Sequence, residues 1–236
     1  MVNIDTVYQK VLAFANKEQR GYITPQEFNL YANQAQIEIY EQYHYDVNNF
    51  EMRDASNNLN SDTTALVRQK LDFFVLEENA VIVNTYTPSS GGLVLPDYIY
   101  RLSRVSVGGS HAEYLDTNRF KDIIASGPLV RPNLSRPIYT TQDGTLNVNN
   151  GVAVTSGITL DYYRLPIPVS WGYFVISGKA LHDSSVAKTT HFELHPAEEA
   201  ELVYKILKYA GLSMKRDDLA KGGQGLESLQ IQQEKQ

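Results

Sequence analysis

The chain has 236 residues, of which 42% are hydrophobic and 20% charged, enough to bury one large core or two small ones. It contains no cysteine, which excludes disulfides, thiolate zinc sites and cysteine nucleophiles together. A formal net charge of −6, with eight Asp and Glu against four Lys and Arg in residues 1–60, argues against sequence-independent clamping of DNA, which needs clustered cations to displace counterions. At the N-terminus, Met1-Val2-Asn3-Ile4-Asp5 has neither the basic flank nor the apolar run of a cleaved signal, and no later stretch approaches the roughly 20 apolar residues of a membrane span. No membrane association is expected.

Residues 4–15 read as a first helix, with Val7, Val11, Leu12 and Phe14 at helical spacing. A second opens at Thr24-Pro25-Gln26-Glu27, a capping box in which hydroxyl and carboxylate each accept from the other residue's amide. Over residues 25–43 the helical period puts Phe28, Ala32, Ala35, Ile39 and Tyr43 on one face, and Leu30 and Ile37 nearly opposite, with Tyr40 between. A helix on the outside of a monomer needs one apolar stripe, so the second stripe predicts a subunit interface through Leu30, Ile37 and Tyr40. The uncharged Asn33, Gln34 and Gln36 suit a helix that touches a neighbour. Residues 48–62, rich in Asn and Asp, read as a loop, with Asp62 capping a short third helix that contains Leu66 and Leu71.

Strand signals follow at residues 73–76, 80–85, 93–95 and 98–107, between turn residues such as Ser89-Ser90-Gly91-Gly92. A short helix is expected at 118–125 and a loop at 131–137. Residues 138–141 and 145–149 flank Asp143-Gly144 as a hairpin. The clearest later strand is 158–164, and Leu165-Pro166-Ile167-Pro168 should end it at a sheet edge, because proline cannot donate to a ladder. The last helix starts at Pro196, carries Glu198, Glu199 and Glu201 early and Lys205 and Lys208 late, and should stop at Gly211.

Helices at both ends and a β-rich middle predict an α+β fold. The terminal helices form a small bundle, the centre an antiparallel β-sandwich or small barrel, and an extended arm closes the chain. The expected parts are a helical part at 1–72, a β-rich part at 73–190, a helix at 191–211 that packs on the N-terminal helices, and the arm at 212–236. In the arm Arg216, Leu219, Leu226, Leu229 and Ile231 are scattered among glycines and glutamines, too sparse for a core but suited to separate grooves of a partner.

Chemical motifs are weak. Asn16 to Glu27 has Gly21, Ile23 and Glu27 at the sixth, eighth and twelfth positions of a calcium loop, but Arg20 stands where a fifth ligand should face the metal. Glu27 is better used in the capping box. His191-Phe192-Glu193-Leu194-His195 should be extended before Pro196, which holds its two imidazoles roughly 13 Å apart, too far for one ion. His195 is better read as a helix cap or surface residue. No nucleophile elbow, phosphate loop or dinucleotide fingerprint occurs. Neither catalytic residue, metal nor cofactor is expected. The sixteen tyrosines suit partly wet interfaces, although core and strand positions account for many of them.

Two segments carry a resemblance: Asn16-Lys17-Glu18-Gln19-Arg20-Gly21-Tyr22-Ile23-Thr24-Pro25-Gln26-Glu27-Phe28-Asn29, and residues 191–225 with their Phe-Glu-Leu-His-Pro-Ala-Glu-Glu-Ala-Glu-Leu-Val-Tyr-Lys-Ile-Leu core. The chain resembles structural proteins of crAss-like bacteriophages of Bacteroidetes hosts, and within them the ring protein below the portal. The resemblance implies a homododecameric ring that continues the portal channel, a fold related to the adaptors of short-tailed phages, and the portal and adjacent tail ring proteins as partners at the head–tail junction. Genomic DNA would pass through the lumen without tight binding. The alternative is a virion-associated glycan-binding or fibre-type protein that uses the tyrosine-rich β region.

Overall fold

The computed structural model describes residues 1–16, 23–54, 61–79, 93–154, 157–185, 187–213, 224–225 and 227–228. In chain order the elements are α1 (Ile4–Asn16), α2 (Pro25–Asp54), α3 (Ser61–Leu71), β1 (Val75–Asn79), β2 (Leu93–Val94), β3 (Ile99–Val107), β4 (Ser110–His111) and β5 (Glu113–Tyr114). They continue with α4 (Thr117–Ala125), β6 (Ile138–Gln142), β7 (Thr145–Asn149), β8 (Ile158–Arg164), β9 (Tyr173–Ile176), β10 (Lys179–His182) and α5 (Glu199–Ser213). The fold is α+β, without a closed barrel. It divides into a helical unit, residues 1–73 with 166–236, and a β unit, residues 74–165. Residues 166–190, grouped by sequence with the β-rich part, thus lie in the helical unit.

The β unit follows from alternation. One sheet has the order β1-β8-β3-β4, the other β2-β7-β6-β5. Inward residues of both, including Val105, Leu146, Val148, Ile158, Leu160 and Tyr162, form one core, the arrangement of two sheets sharing an apolar interior. The hairpin between β6 and β7 turns on Asp143 (φ 50°) and Gly144 (φ 66°), the left-handed pair that matches strand twist. Two expectations need correction. β5 pairs with β6 in parallel, so the sheets are not wholly antiparallel. β8 is a central strand, paired with both β1 and β3; Pro166 and Pro168 follow its end instead of marking an edge. The expected strand at 80–85 and the turn at Ser89-Ser90-Gly91-Gly92 lie outside the described residues.

The helical unit buries Ile4, Val7, Tyr8 and Val11 of α1, Phe28, Ala32, Ala35 and Ile39 of α2, and Leu202, Val203 and Ile206 of α5, as α5 packs on both α1 and α2. The Thr24 amide donates to Glu27 Oε2 at 3.0 Å and the Glu27 amide to Thr24 Oγ1 at 3.3 Å, so the capping box forms. α2 runs through Asp54, well into the stretch expected as a loop. Asn48 and Asn49 cost the helix only tenths of a kcal/mol each, about the spread of ordinary propensities, and Glu51-Met52-Arg53 are good helix formers. α5 likewise continues past Gly211 to Ser213. Gly211 is buried, and packing outweighs the roughly 1 kcal/mol that glycine costs inside a helix.

Candidate subunit-docking surfaces

The two faces of α2 are finished in different ways. Inward, Asn29, Asn33 and Gln36 bind the backbone of residues 167–171, which run extended beside the helix. Asn33 accepts from the Val169 amide at 2.8 Å and donates to the Val169 carbonyl at 2.9 Å. Asn29 accepts from the Trp171 amide at 2.8 Å and donates to the Trp171 carbonyl at 3.4 Å. Gln36 donates to the Ile167 carbonyl at 2.9 Å and accepts from the Glu193 amide at 3.3 Å. Each side-chain amide offers a donor and an acceptor in one plane, so three of them substitute for a neighbouring strand along an extended segment. Asn33 and Gln36, expected to face another subunit, are therefore used within the chain. The spacing Asn29, Asn33, Gln36 keeps one helical face, a signal that was present in the sequence.

Outward, Leu30 is 69% and Ile37 40% exposed, joined on that side by the exposed Tyr45. Tyr40 belongs to the other face: it is fully buried, its ring 4.9 Å from that of His44. It is thus withdrawn from the candidate interface, because residue 40 has turned about 60° beyond residue 37 toward the core side.

β9 and β10 form a second exposed apolar element. They pair only with each other among the described strands, as a two-stranded hairpin turned at Ser177 (φ 51°) and Gly178 (φ 75°). Its base is held by rings. Trp171 lies 5.9 Å from Tyr173 and 5.4 Å from His182, and its indole N–H donates to Asp5 at 2.9 Å. Toward the tip, Phe174, Val175, Ile176 and Leu181 are all exposed.

The third feature joins the C-terminal stretch to α5. Lys205, 3% exposed, lies 2.7 Å from Glu227, 3.4 Å from Glu201 and 3.5 Å from Glu38, and Lys208 lies 3.2 Å from Glu227. Burial alone would raise the Glu227 pKa, but hydrogen bonds and charge from Lys205 and Lys208 reverse this and hold it below the ordinary carboxylate value. Burial alone would lower that of Lys205, and the Glu227 hydrogen bond with the fields of Glu201, Glu227 and Glu38 more than offsets it. Burial, then a 2.5 Å hydrogen bond to Glu38, pushes the Tyr209 phenol up. Arg216, Leu219, Leu226, Leu229 and Ile231 lie outside the described residues. Within the C-terminal stretch Glu227 itself is held by a buried ion pair to its own domain.

His195 caps the turn at Pro196–Glu198, its Nδ1 accepting from the Ala197 amide at 3.2 Å. Close by, a cleft of about 430 Å³ is lined by Leu66, Gln69, Lys70, Asp72, Phe73 and His195. The Lys70 ammonium is held 2.5 Å from the buried Glu198, which offsets its charge in the wall. In the β unit a groove of about 500 Å³ includes Tyr100, Arg101, Tyr114, Tyr139 and Thr141, beside a register shift of β3 between Ile99 and Arg101. Burial, and secondarily the neighbouring Tyr114, raises the Tyr139 pKa. Among the described residues no group of His, Asp and Glu gathers as for a metal ion, and no helix is long and apolar enough to cross a membrane. The core of the calcium-like loop, residues 17–22, lies outside the described residues, while Glu27 serves the capping box.

Compared with known protein families the chain matches none, and no curated protein matches it.

Proposed function

We propose that this protein is a structural subunit of a tailed-phage virion, forming a ring, of twelve copies by its resemblance, below the portal at the head–tail junction. The observation that carries the reading is the outer line of α2, where Leu30 and Ile37 are exposed on a helix whose opposite face is fully packed. Such a line is left over in a monomer and is covered when subunits stand side by side. The portal and adjacent tail rings are its partners, and the subunit assembles in the host cytoplasm. Genomic DNA passes through the lumen without tight binding, in keeping with the net charge of −6. The role needs no catalytic residue or cofactor. The residues beyond α5, 214–236, serve as a docking arm in this reading, and Glu227 must then exchange its contacts with Lys205 and Lys208 for those of the partner.

Electron microscopy of the purified protein, alone and with a portal, tests this. Closed rings coaxial with the portal are expected; a particle without rotational symmetry in both samples would sink the proposal. One observation favours a second reading, glycan binding. The groove bearing Tyr100, Arg101, Tyr114 and Tyr139 sets aromatic rings beside polar groups, a mixture that suits the apolar faces and hydroxyls of a sugar together. Saccharide binding that disappears in Tyr114→Ala, by a chain that forms no ring, would favour it.

A further inference from the structure

The β9–β10 hairpin carries an apolar face that no described residue covers, and its register shows which residues make it. Tyr173 pairs with His182, Phe174 with Leu181, Val175 with Ala180 and Ile176 with Lys179. Side chains alternate across a strand, so Tyr173 and His182 share the side that stacks on Trp171. Phe174 and Leu181, as a directly opposed pair, occupy the other. Ile176 and Lys179 are two residues further along each strand and join them there. On this outer side Phe174 is 41%, Leu181 45% and Ile176 55% exposed, with Lys179 as its one charge. A two-stranded hairpin is marginal by itself in water, and three large apolar side chains on its free face add apolar surface without burial.

The same unit carries the chemical complement. At 100° per residue Leu30, Ile37 and Glu41 fall within about 40° of one another on α2, with the exposed Gln34 and Tyr45 beside them. Leu30, Ile37, Glu41 and Tyr45 are all exposed. One surface is therefore an apolar sheet face bearing a single cation, the other an apolar helix line bearing a carboxylate. We infer that the hairpin of one copy docks on α2 of the next, with Phe174, Ile176 and Leu181 against Leu30, Ile37 and Tyr45, and Lys179 opposite Glu41. Two different patches that complement each other make a head-to-tail contact, which closes into a ring when the rotation allows and leaves neither patch bare. This rests on the ring reading and extends it by naming both halves of the lateral contact.

The absence of cysteine supplies the test, since introduced thiols are the only ones in the chain. Ile176→Cys and Ile37→Cys proteins, both changed at exposed positions, are mixed at high concentration and treated with a short thiol-specific cross-linker. The mixed dimer is expected to dominate, and a chain carrying both changes should give a ladder of covalent oligomers. Lys179→Glu should abolish assembly and the added Glu41→Lys should restore it. Dimers formed chiefly by Ile176→Cys alone would mean that hairpins pair with each other, which overturns the inference. If no cross-link forms while the unmodified protein makes closed rings, the hairpin contact is wrong and the ring reading stands. A chain that neither cross-links nor forms rings at any concentration overturns both.

Discussion

The β unit is closed by apolar alternation, whereas the helical unit adds to its apolar core polar side chains that reach far along the chain. Leu146, Ile158, Leu160 and Tyr162 fill the interior between two sheets, and each is placed by its neighbours two residues away. In the helical unit Asn33 holds Val169 and Asn29 holds Trp171, while Lys205 gathers Glu38, Glu201 and Glu227. Apolar closure depends on volume and tolerates imprecise partners. Polar closure depends on each donor finding its acceptor, and it fails steeply when one is removed.

Removing core volume is the largest test of that contrast. Leu146 is fully buried, and Leu146→Ala should destabilise the β unit by about 2–5 kcal/mol, the lost transfer energy plus the cavity left behind. Leu146→Met should cost less, because it conserves volume. Denaturant unfolding of the three proteins checks both. If the two variants lose equal stability, the core is not volume-limited.

The amide row should show the opposite sensitivity. Asn33→Ala orphans the amide and carbonyl of Val169, at about 1–3 kcal/mol for each buried group that finds no water. Asn33→Leu is similar in size and should be no better, whereas Asn33→Gln keeps the amide on a longer side chain and should lose less. Hydrogen exchange at the Val169 and Trp171 amides reads the effect directly. Unchanged exchange in Asn33→Ala would show that the row is dispensable.

How much was legible in the sequence follows the same division. The edges of β8, the Asp143-Gly144 hairpin and the Thr24–Glu27 capping box are set by residues within a few positions of each other, and local pattern is enough to read them. The central position of β8 was not, because Pro166 and Pro168 mark only where the strand ends. The Asn29, Asn33, Gln36 row was visible as a polar helical face, yet nothing local says that its partner is residues 167–171, more than 130 positions away. Gly211 misled for a related reason: a local stop signal was overridden by packing on α1 and α2. At the candidate interface, periodicity placed Leu30 and Ile37 on an exposed side, but Tyr40 sits on the boundary between faces and only the packed helix decides it.

A smaller effect is expected at Glu227. Its folded pKa is held below the ordinary 4.5, so its contribution is present above that value and is lost as pH falls below it. That of Lys205 is held above 10.5, so its contribution is present below that value and is lost as pH rises past it. The attachment of Glu227 should therefore hold across neutral pH and release in acid. Glu227→Gln should release it at pH 7, at a cost of about 1 kcal/mol, since Lys205 keeps Glu201 and Glu38. Limited proteolysis of the C-terminal stretch measures this: cleavage should rise in acid, using an acid-active protease, and at pH 7 in the variant. Equal cleavage of both proteins at pH 7 would show that the ion pair does not hold the stretch.

The smallest effect on the subunit should accompany the largest on its assembly. Leu30 and Ile37 are exposed on α2, so Leu30→Glu with Ile37→Glu removes little burial within the chain and should change folding stability by no more than about 0.5 kcal/mol for each site. The buried face with Phe28, Ala35 and Ile39 stays as it is, and the Asn29, Asn33 and Gln36 contacts lie on another side of the helix. In a ring, however, two carboxylates would enter an apolar contact beside Glu41, and neither would find a partner there. Thermal unfolding should be nearly unchanged while sedimentation shows monomer where the unmodified chain forms rings. A matched pair, Leu30→Met with Ile37→Met, keeps the surface apolar and should still assemble, which separates the chemistry of the contact from the mere presence of substitutions. Loss of folding in the glutamate variant would place these two side chains in the core of the subunit, and intact rings would place the lateral contact elsewhere.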